Sequence, residues 1–381
     1  MFFKQCQEAR NFFKFVLLFA FKIQHMKNSI FSLVLIWASV SFAVCQKQTT
    51  PDWENPAVVS INVEKPHASF FPYESTDQAL LNKRESSGNF VSLNGIWKFK
   101  WVERPSDAPA DFFKPGFNDA SWDDFQVPAN WELHGYGYPI YVNIPYEWTK
   151  NPDPPKVPHD YNPVGSYRRT FTLPDSWKDK QVFIYLGDVK SAFYIWVNGE
   201  KVGYHEGSKL PAEFNITKYL KPGRNLVALQ VYRWSDGSYL ECQDFWRISG
   251  IERDVYLYAV PAVHISDFFC HTPLINDYTD GLFQLDIRVR NLSDKPAGPY
   301  VLKAQLYDPA DLKKPVLTLE KQVAPAAGAE DSIRLEQTIL RPKPWTAETP
   351  NLYTLLLTLT DAKGNISMAT SVRIGFRTSE V

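Results

Sequence analysis

The sequence predicts an all-β chain of two consecutive sandwiches, and three observations carry that prediction. Apolar runs of five to eight residues recur between turn signals from residue 90 to 260, and none keeps a helical period over three turns. Asn198-Gly199, a dipeptide that tolerates the positive φ angles of a two-residue hairpin turn, separates Phe193-Tyr194-Ile195-Trp196-Val197 from Lys201-Val202-Gly203-Tyr204. Beyond Pro261, Phe283, Leu285, Ile287 and Val289 alternate with Gln284, Asp286, Arg288 and Arg290, the period of a strand with one buried and one wet face.

The elements follow in chain order. Residues 1–45 form a signal or targeting segment made of two mainly apolar runs, Phe12 to Phe21 and Ile30 to Val44. Neither run reaches the ~20 residues of a membrane span. Met26-Lys27, the apolar stretch Ile30 to Val40 and Ser41-Phe42-Ala43 read as a secretory signal, which makes Met26 the true start and places the chain outside the cytoplasm, in the periplasm or cell envelope. The stretch before Met26 is then an upstream extension; a short membrane anchor is the alternative. Cys45 ends the signal and is a candidate lipid-attachment site, although Phe42-Ala43-Val44 departs from the small-residue pattern expected before such a cysteine.

Residues 46–261 form the first sandwich, of jelly-roll type. Its strands include Val182 to Leu186 and, after the Pro222-Gly223 turn, Asn225 to Tyr232, at the short spacing of a sandwich rather than a parallel sheet. Residues 262–378 form the second, with strands at Tyr300 to Tyr307, Leu352 to Thr360 and Ser371 to Phe376. Turns fall at Asp308-Pro309 and Lys363-Gly364-Asn365, and Ala324 to Gly328 is a loop. About 110 residues with roughly seven strands fit an immunoglobulin-like sandwich.

Composition narrows the function. Lys and Arg number 41 against 42 Asp and Glu among 381 residues, so no positive excess exists for nucleic acid or an anionic membrane. With 44% hydrophobic and 22% charged residues the chain is globular rather than disordered. Of four cysteines only Cys242 and Cys270 lie past the leader, which leaves no disulfide framework, and seven histidines show no zinc-ligand spacing. Aromatic residues reach 15%, and they crowd with polar side chains in two stretches, Val127 to Asn143 running on to Trp148, and Arg233 to Arg247. A sugar needs a stacking face and convergent hydrogen bonds, which such loops can offer; alternatively Trp131, Tyr141 and Trp246 simply fasten long loops to the sandwich.

Asp52-Trp53-Glu54-Asn55-Pro56, Leu93-Asn94-Gly95-Ile96-Trp97-Lys98-Phe99, Trp131 to Asn143, Ser191-Ala192-Phe193 and Arg233-Trp234-Ser235-Asp236-Gly237-Ser238-Tyr239-Leu240-Glu241 with Gln243-Asp244 and Trp246-Arg247 resemble the large β-galactosidases of glycoside hydrolase family 2. The resemblance runs from Asp52 to the end. It implies a jelly roll, then an immunoglobulin-like domain, then a (β/α)8 barrel holding two glutamates about 5–5.5 Å apart for retaining hydrolysis of terminal β-D-galactosides. The chain stops at Ile374-Gly375-Phe376-Arg377-Thr378, where that barrel should begin, and no acid/base Asn-Glu motif occurs, so no catalytic residue is expected here and this chain alone should not hydrolyse a galactoside. The barrel is the expected partner, and full-length relatives are often homo-oligomers. By position, Asn143 and Asp244 match the residues that hydrogen-bond galactose hydroxyls, an amide and a carboxylate suited to a sugar lined with OH groups. Asp244 matches a ligand of Na+ (or K+), and Asp52, Asn55, Glu206 and Asp236 match an all-oxygen Mg2+ set. The bland readings are an Asp-Gly turn residue for Asp236 and a solvated loop carboxylate for Glu206. A free-standing lectin-like carbohydrate-binding module is the rival function.

Overall fold

In the computed structural model, which describes residues 50–143, 146–241 and 243–380, Asn198 and Gly199 both take left-handed backbone, with φ of 53° and 94°. The hairpin closes as its dipeptide demands, joining strand Ala192–Val197 to strand Glu200–Glu206. Asn198 locks the turn: its side chain donates to the Tyr219 carbonyl and to Asn225 Oδ1, and accepts from the Leu226 amide. The leader reading, with Met26 and Cys45, falls on residues outside those described.

That hairpin sits in an antiparallel sheet of seven strands, ordered Ser60–Ile61, Glu200–Glu206, Ala192–Val197, Asn225–Tyr232, Val164–Phe171, Gly95–Val102 and Asp123–Val127. A second sheet, Ala212–Asn215, Gln181–Leu186, Val255–Val260 and Phe90–Ser92, contributes the other wall of the same core. Phe99, Ile184, Leu186, Ile195, Phe214 and Leu257 are all buried there. The jelly roll is thus a closed apolar filling, and its loops are left to carry chemistry.

The second sandwich packs Val263–His271, Asp280–Asn291, Leu274–Ile275 and Glu330–Ile339 in one sheet, and Asp311–Val323, Tyr300–Asp308, Tyr353–Thr360 and Ile366–Ile374 in the other. Phe283, Leu285, Ile287 and Val289 all point inward, as their alternation requires. The last strand runs Ile366–Ile374 rather than from Ser371 to Phe376. It starts directly after the turn that Asp361 closes with the amides of Lys363 and Asn365, while Phe376 lies past its end, buried against Tyr353.

The segment between strands Ser60–Ile61 and Phe90–Ser92 spans the two sandwiches. Tyr73 exchanges backbone hydrogen bonds with Ala369, and the Ala68 amide donates to Asp267 Oδ1. Phe71, Tyr73, Tyr256, Tyr307 and Leu356 form one apolar seam drawn from both sandwiches. A single short helix turn, Thr76–Leu81, capped by Ser75 and ended by Asn82 in left-handed backbone, lies over that seam.

Candidate functional site

Two of the sequence-nominated residues lie at one end of a strand pairing. Ile140–Val142 pairs antiparallel with Phe245–Arg247, with Val142 opposite Phe245, Tyr141 opposite Trp246 and Ile140 opposite Arg247. Asn143 and Asp244 are the next residues past the end of that ladder, one on each strand, and both are exposed. Residues 101 apart in sequence thus share one ribbon end. Tyr141 donates its hydroxyl to Asp244 Oδ1 at 2.5 Å, and the carboxylate beside it raises the phenol's pKa. The Tyr141 and Trp246 rings lie 5.5 Å apart, 54% and 55% exposed. An amide, a carboxylate and two solvent-facing rings are the donor, acceptor and stacking groups a sugar uses.

The three rings on which the alternative reading turned divide. Trp131 is completely buried, lies 6.2 Å from the Phe99 ring and donates its indole N–H to the Tyr167 hydroxyl. It fastens its loop to the core. Gly165 makes room for it, since a Cβ there would stand 2.5 Å from Trp131 Cζ2. Tyr141 and Trp246 fasten nothing to the core and remain on the surface.

Of the four residues matched to a divalent cation, the structure brings two into contact. Glu206 ends strand Glu200–Glu206, Asp236 opens the turn Asp236–Tyr239, and their carboxyls are close enough to act on one another's charge. Burial, then the neighbouring Asp236 charge, pushes Glu206 up to about 8, and burial raises Asp236 as well. Tyr204 donates to Glu206 Oε2 at 3.0 Å, while Asp236 Oδ1 is buried without a hydrogen-bond partner. An orphaned carboxylate oxygen beside a second desolvated carboxylate fits a hard cation. Asp52 turns elsewhere, accepting from the Tyr194 hydroxyl at 3.0 Å and lying 3.6 Å from Lys201 Nζ, and Asn55 Oδ1 accepts from the Ala57 amide. Sequence reading missed Glu54, a buried carboxylate close enough to act on Asp236, although it stands inside the quoted Asp52 to Pro56 motif. No three His, Cys, Asp or Glu side chains among the described residues are grouped to hold a metal, so neutral oxygens would have to complete the set.

Two consecutive β-sandwiches, the first carrying such a ribbon, define the class: an all-β protein of two sandwich domains. Residues 90–261 match the model "Glycosyl hydrolases family 2, sugar binding domain", and residues 263–377 match "Glycosyl hydrolases family 2". The chain belongs to glycoside hydrolase family 2. It is 45% identical over 334 residues to a β-galactosidase of Priestia megaterium, and 38% identical over 335 residues to one of Vibrio cholerae, in each case across 87% of this chain and 32% of the relative. The chain therefore spans about a third of the length of the curated relatives it matches. Among solved structures it is similar to a Bacteroides uniformis β-glucuronidase, with 26% identity and a TM-score of 0.63 over 75% of this chain and 32% of that one. A putative β-galactosidase of Bacteroides fragilis, 18% identical with a TM-score of 0.61 over 77% of this chain and 41% of that one, shares the fold.

Proposed function

We propose that this chain supplies the non-catalytic wall of a β-galactoside-hydrolysing site. The observation that supports the reading is the pairing of Ile140–Val142 with Phe245–Arg247, which leaves Asn143 and Asp244 at one ribbon end beside the exposed rings of Tyr141 and Trp246. Asn143 donates to and accepts from galactosyl hydroxyls, Asp244 accepts from them, and the rings cover an apolar sugar face. In this reading the two reacting carboxylates come from a barrel domain, and this chain orients the sugar without cleaving it. Glu206 and Asp236 would hold Mg2+, and Asp244 would share in holding Na+ or K+; bound cations supply charge neutralisation at these carboxylates. Export directed by the Met26 to Val44 stretch completes the reading, and N-terminal sequencing of the mature chain tests it.

Incubating the purified chain with a chromogenic β-galactoside tests the division of labour. No turnover is expected, and turnover abolished by an active-site glycosidase inhibitor would overturn it. Because both contact residues and both rings come from one sandwich, a lectin-like module is the second reading. Galactose binding in the millimolar range favours the wall; micromolar binding by this chain alone favours the lectin.

A further inference from the structure

The two loops that meet at the ribbon are joined by charge as well as by backbone. One loop carries two glutamates and the other two arginines. Glu132 Oε1 lies 3.3 Å from Arg233 Nη1, and Glu147 Oε2 lies 2.9 Å from Arg247 Nε, with all four side chains at most 4% exposed. Glu132 and Glu147 flank the segment that ends in Asn143; Arg233 and Arg247 flank the segment that contains Asp244. Each arginine also reaches the opposite backbone: Arg233 Nη2 donates to the Tyr138 carbonyl, and Arg247 Nη2 to the Val142 carbonyl next to Asn143. The glutamates are held in turn. Glu132 Oε2 accepts from the Ser249 amide at 2.8 Å, and Glu147 Oε1 accepts from the Trp234 indole.

Three ladder positions alone make a marginal ribbon, and its outer residues are exposed. Desolvated ion pairs at both loop ends change that, because separating either pair would strand a charge away from water. Their geometry also selects one register, since each guanidinium lies against a carboxylate as an ion pair while its Nη2 donates to a carbonyl of the same facing loop.

We propose that Glu132–Arg233 and Glu147–Arg247 act as a double clamp, positioning residues that hold Asn143 and Asp244 at one ribbon end for the sugar contacts proposed above. The proposal rests on that reading for its purpose but not for its geometry. The Glu147–Arg247 pair, shorter and next to the contact residues, is the stronger half.

Hydrogen exchange, read peptide by peptide, and galactose titration followed by NMR of the Trp246 indole test it on the full chain. In Glu147→Gln, exchange at Ile140–Val142 and Phe245–Arg247 should quicken roughly a hundredfold, the scale of losing one partner of a buried pair, while Phe283 to Val289 in the second sandwich stays unchanged. Galactose affinity should fall tenfold or more. Arg247→Lys keeps the charge but not the fork, so it should lie between wild type and Glu147→Gln. The exchanged double variant Glu147→Arg with Arg247→Glu should recover part of the protection. Unchanged ribbon exchange in Glu147→Gln, or equal acceleration in both sandwiches, would overturn the clamp. If the wild-type chain shows no galactose response while ribbon exchange responds as stated, the clamp stands and the sugar reading falls. The opposite pair of results sinks the clamp and leaves the sugar reading intact.

Discussion

The Glu206–Asp236 pair makes stability fall as pH rises, against the usual behaviour of carboxylates. A carboxyl raised from 4.5 to about 8 in the folded chain keeps its proton where the unfolded chain has lost it. The folded state then binds more protons between those two values, so stability is fully present below about pH 4.5 and drains away up to about pH 8. Taken at full weight, a shift of that size is worth about 5 kcal/mol at 1.36 kcal/mol per unit. Tyr204 also hydrogen-bonds Glu206, and the proton is shared with Asp236, so roughly 2 kcal/mol is the loss expected. For a chain of this size that is a fall of about 4 °C in melting temperature from pH 5.5 to 8.5. His67 titrates in part of the same window, because its hydrogen bond to Glu213 lifts it to about 9, so its contribution is also lost as pH rises. The assay is therefore a pair of melting curves across pH for the wild type and Glu206→Gln, which mimics the protonated carboxyl and should flatten the slope by about half. Millimolar Mg2+ at pH 8.5 should restore the wild type and not the variant. Identical slopes in both proteins, or Mg2+ acting equally on both, would refute the reasoning.

Three further outcomes follow from single side chains. Trp131→Ala removes a completely buried ring and should cost about 3–5 kcal/mol by urea melting, and Gly165→Ala, which drives a Cβ into that ring, should destabilise by about 1–3 kcal/mol even though it adds only a methyl. Asn143→Ala and Asp244→Asn, both exposed, should leave stability within about 0.5 kcal/mol while abolishing the galactose response of the Trp246 indole. His67→Asn removes the 3.2 Å contact with Glu213 and should cost about 1 kcal/mol at pH 6, the loss shrinking as pH passes about 9; a constant cost would assign His67 a packing role only.

What the sequence displays is local, and what it conceals is pairing at a distance. Asn198-Gly199 announces its hairpin because the two φ angles it needs belong to those residues alone. The alternation from Phe283 to Val289 announces its strand because one central face is buried along its whole length. Asp311–Val323 and Glu330–Ile339 are different. Each lies at the edge of its sheet, and in Glu330–Ile339 only Ile333 and Leu335 are buried among charged neighbours, so no run of period two stands out. The same limit separates the functional residues. Trp131 and Trp246 stand in stretches of similar composition, yet one is wholly buried and the other mostly exposed. Nothing within either stretch distinguishes them, because the distinction lies in which strand each faces. Family resemblance could nominate Asn143 and Asp244 one at a time, but only the ladder from Ile140 to Val142 shows that they belong to one ribbon.

The charges within those stretches show most sharply why. Glu132, Glu147, Arg233 and Arg247 stand in stretches rich in polar residues, and in a linear sequence such charges look solvated. A charge can be buried there only if its counter-charge arrives from the other loop, and the strands from Val164–Phe171 to Asn225–Tyr232 separate the two loops. The core must therefore form before the pairs can, since an arginine without its glutamate would have to stay in water. Rigid β-sandwich first, clamped ribbon second, is the order that this physical dependence imposes. It also places the ribbon among the last parts of the domain to become ordered, and makes its amides the most sensitive reporters of whether the two loops have found each other.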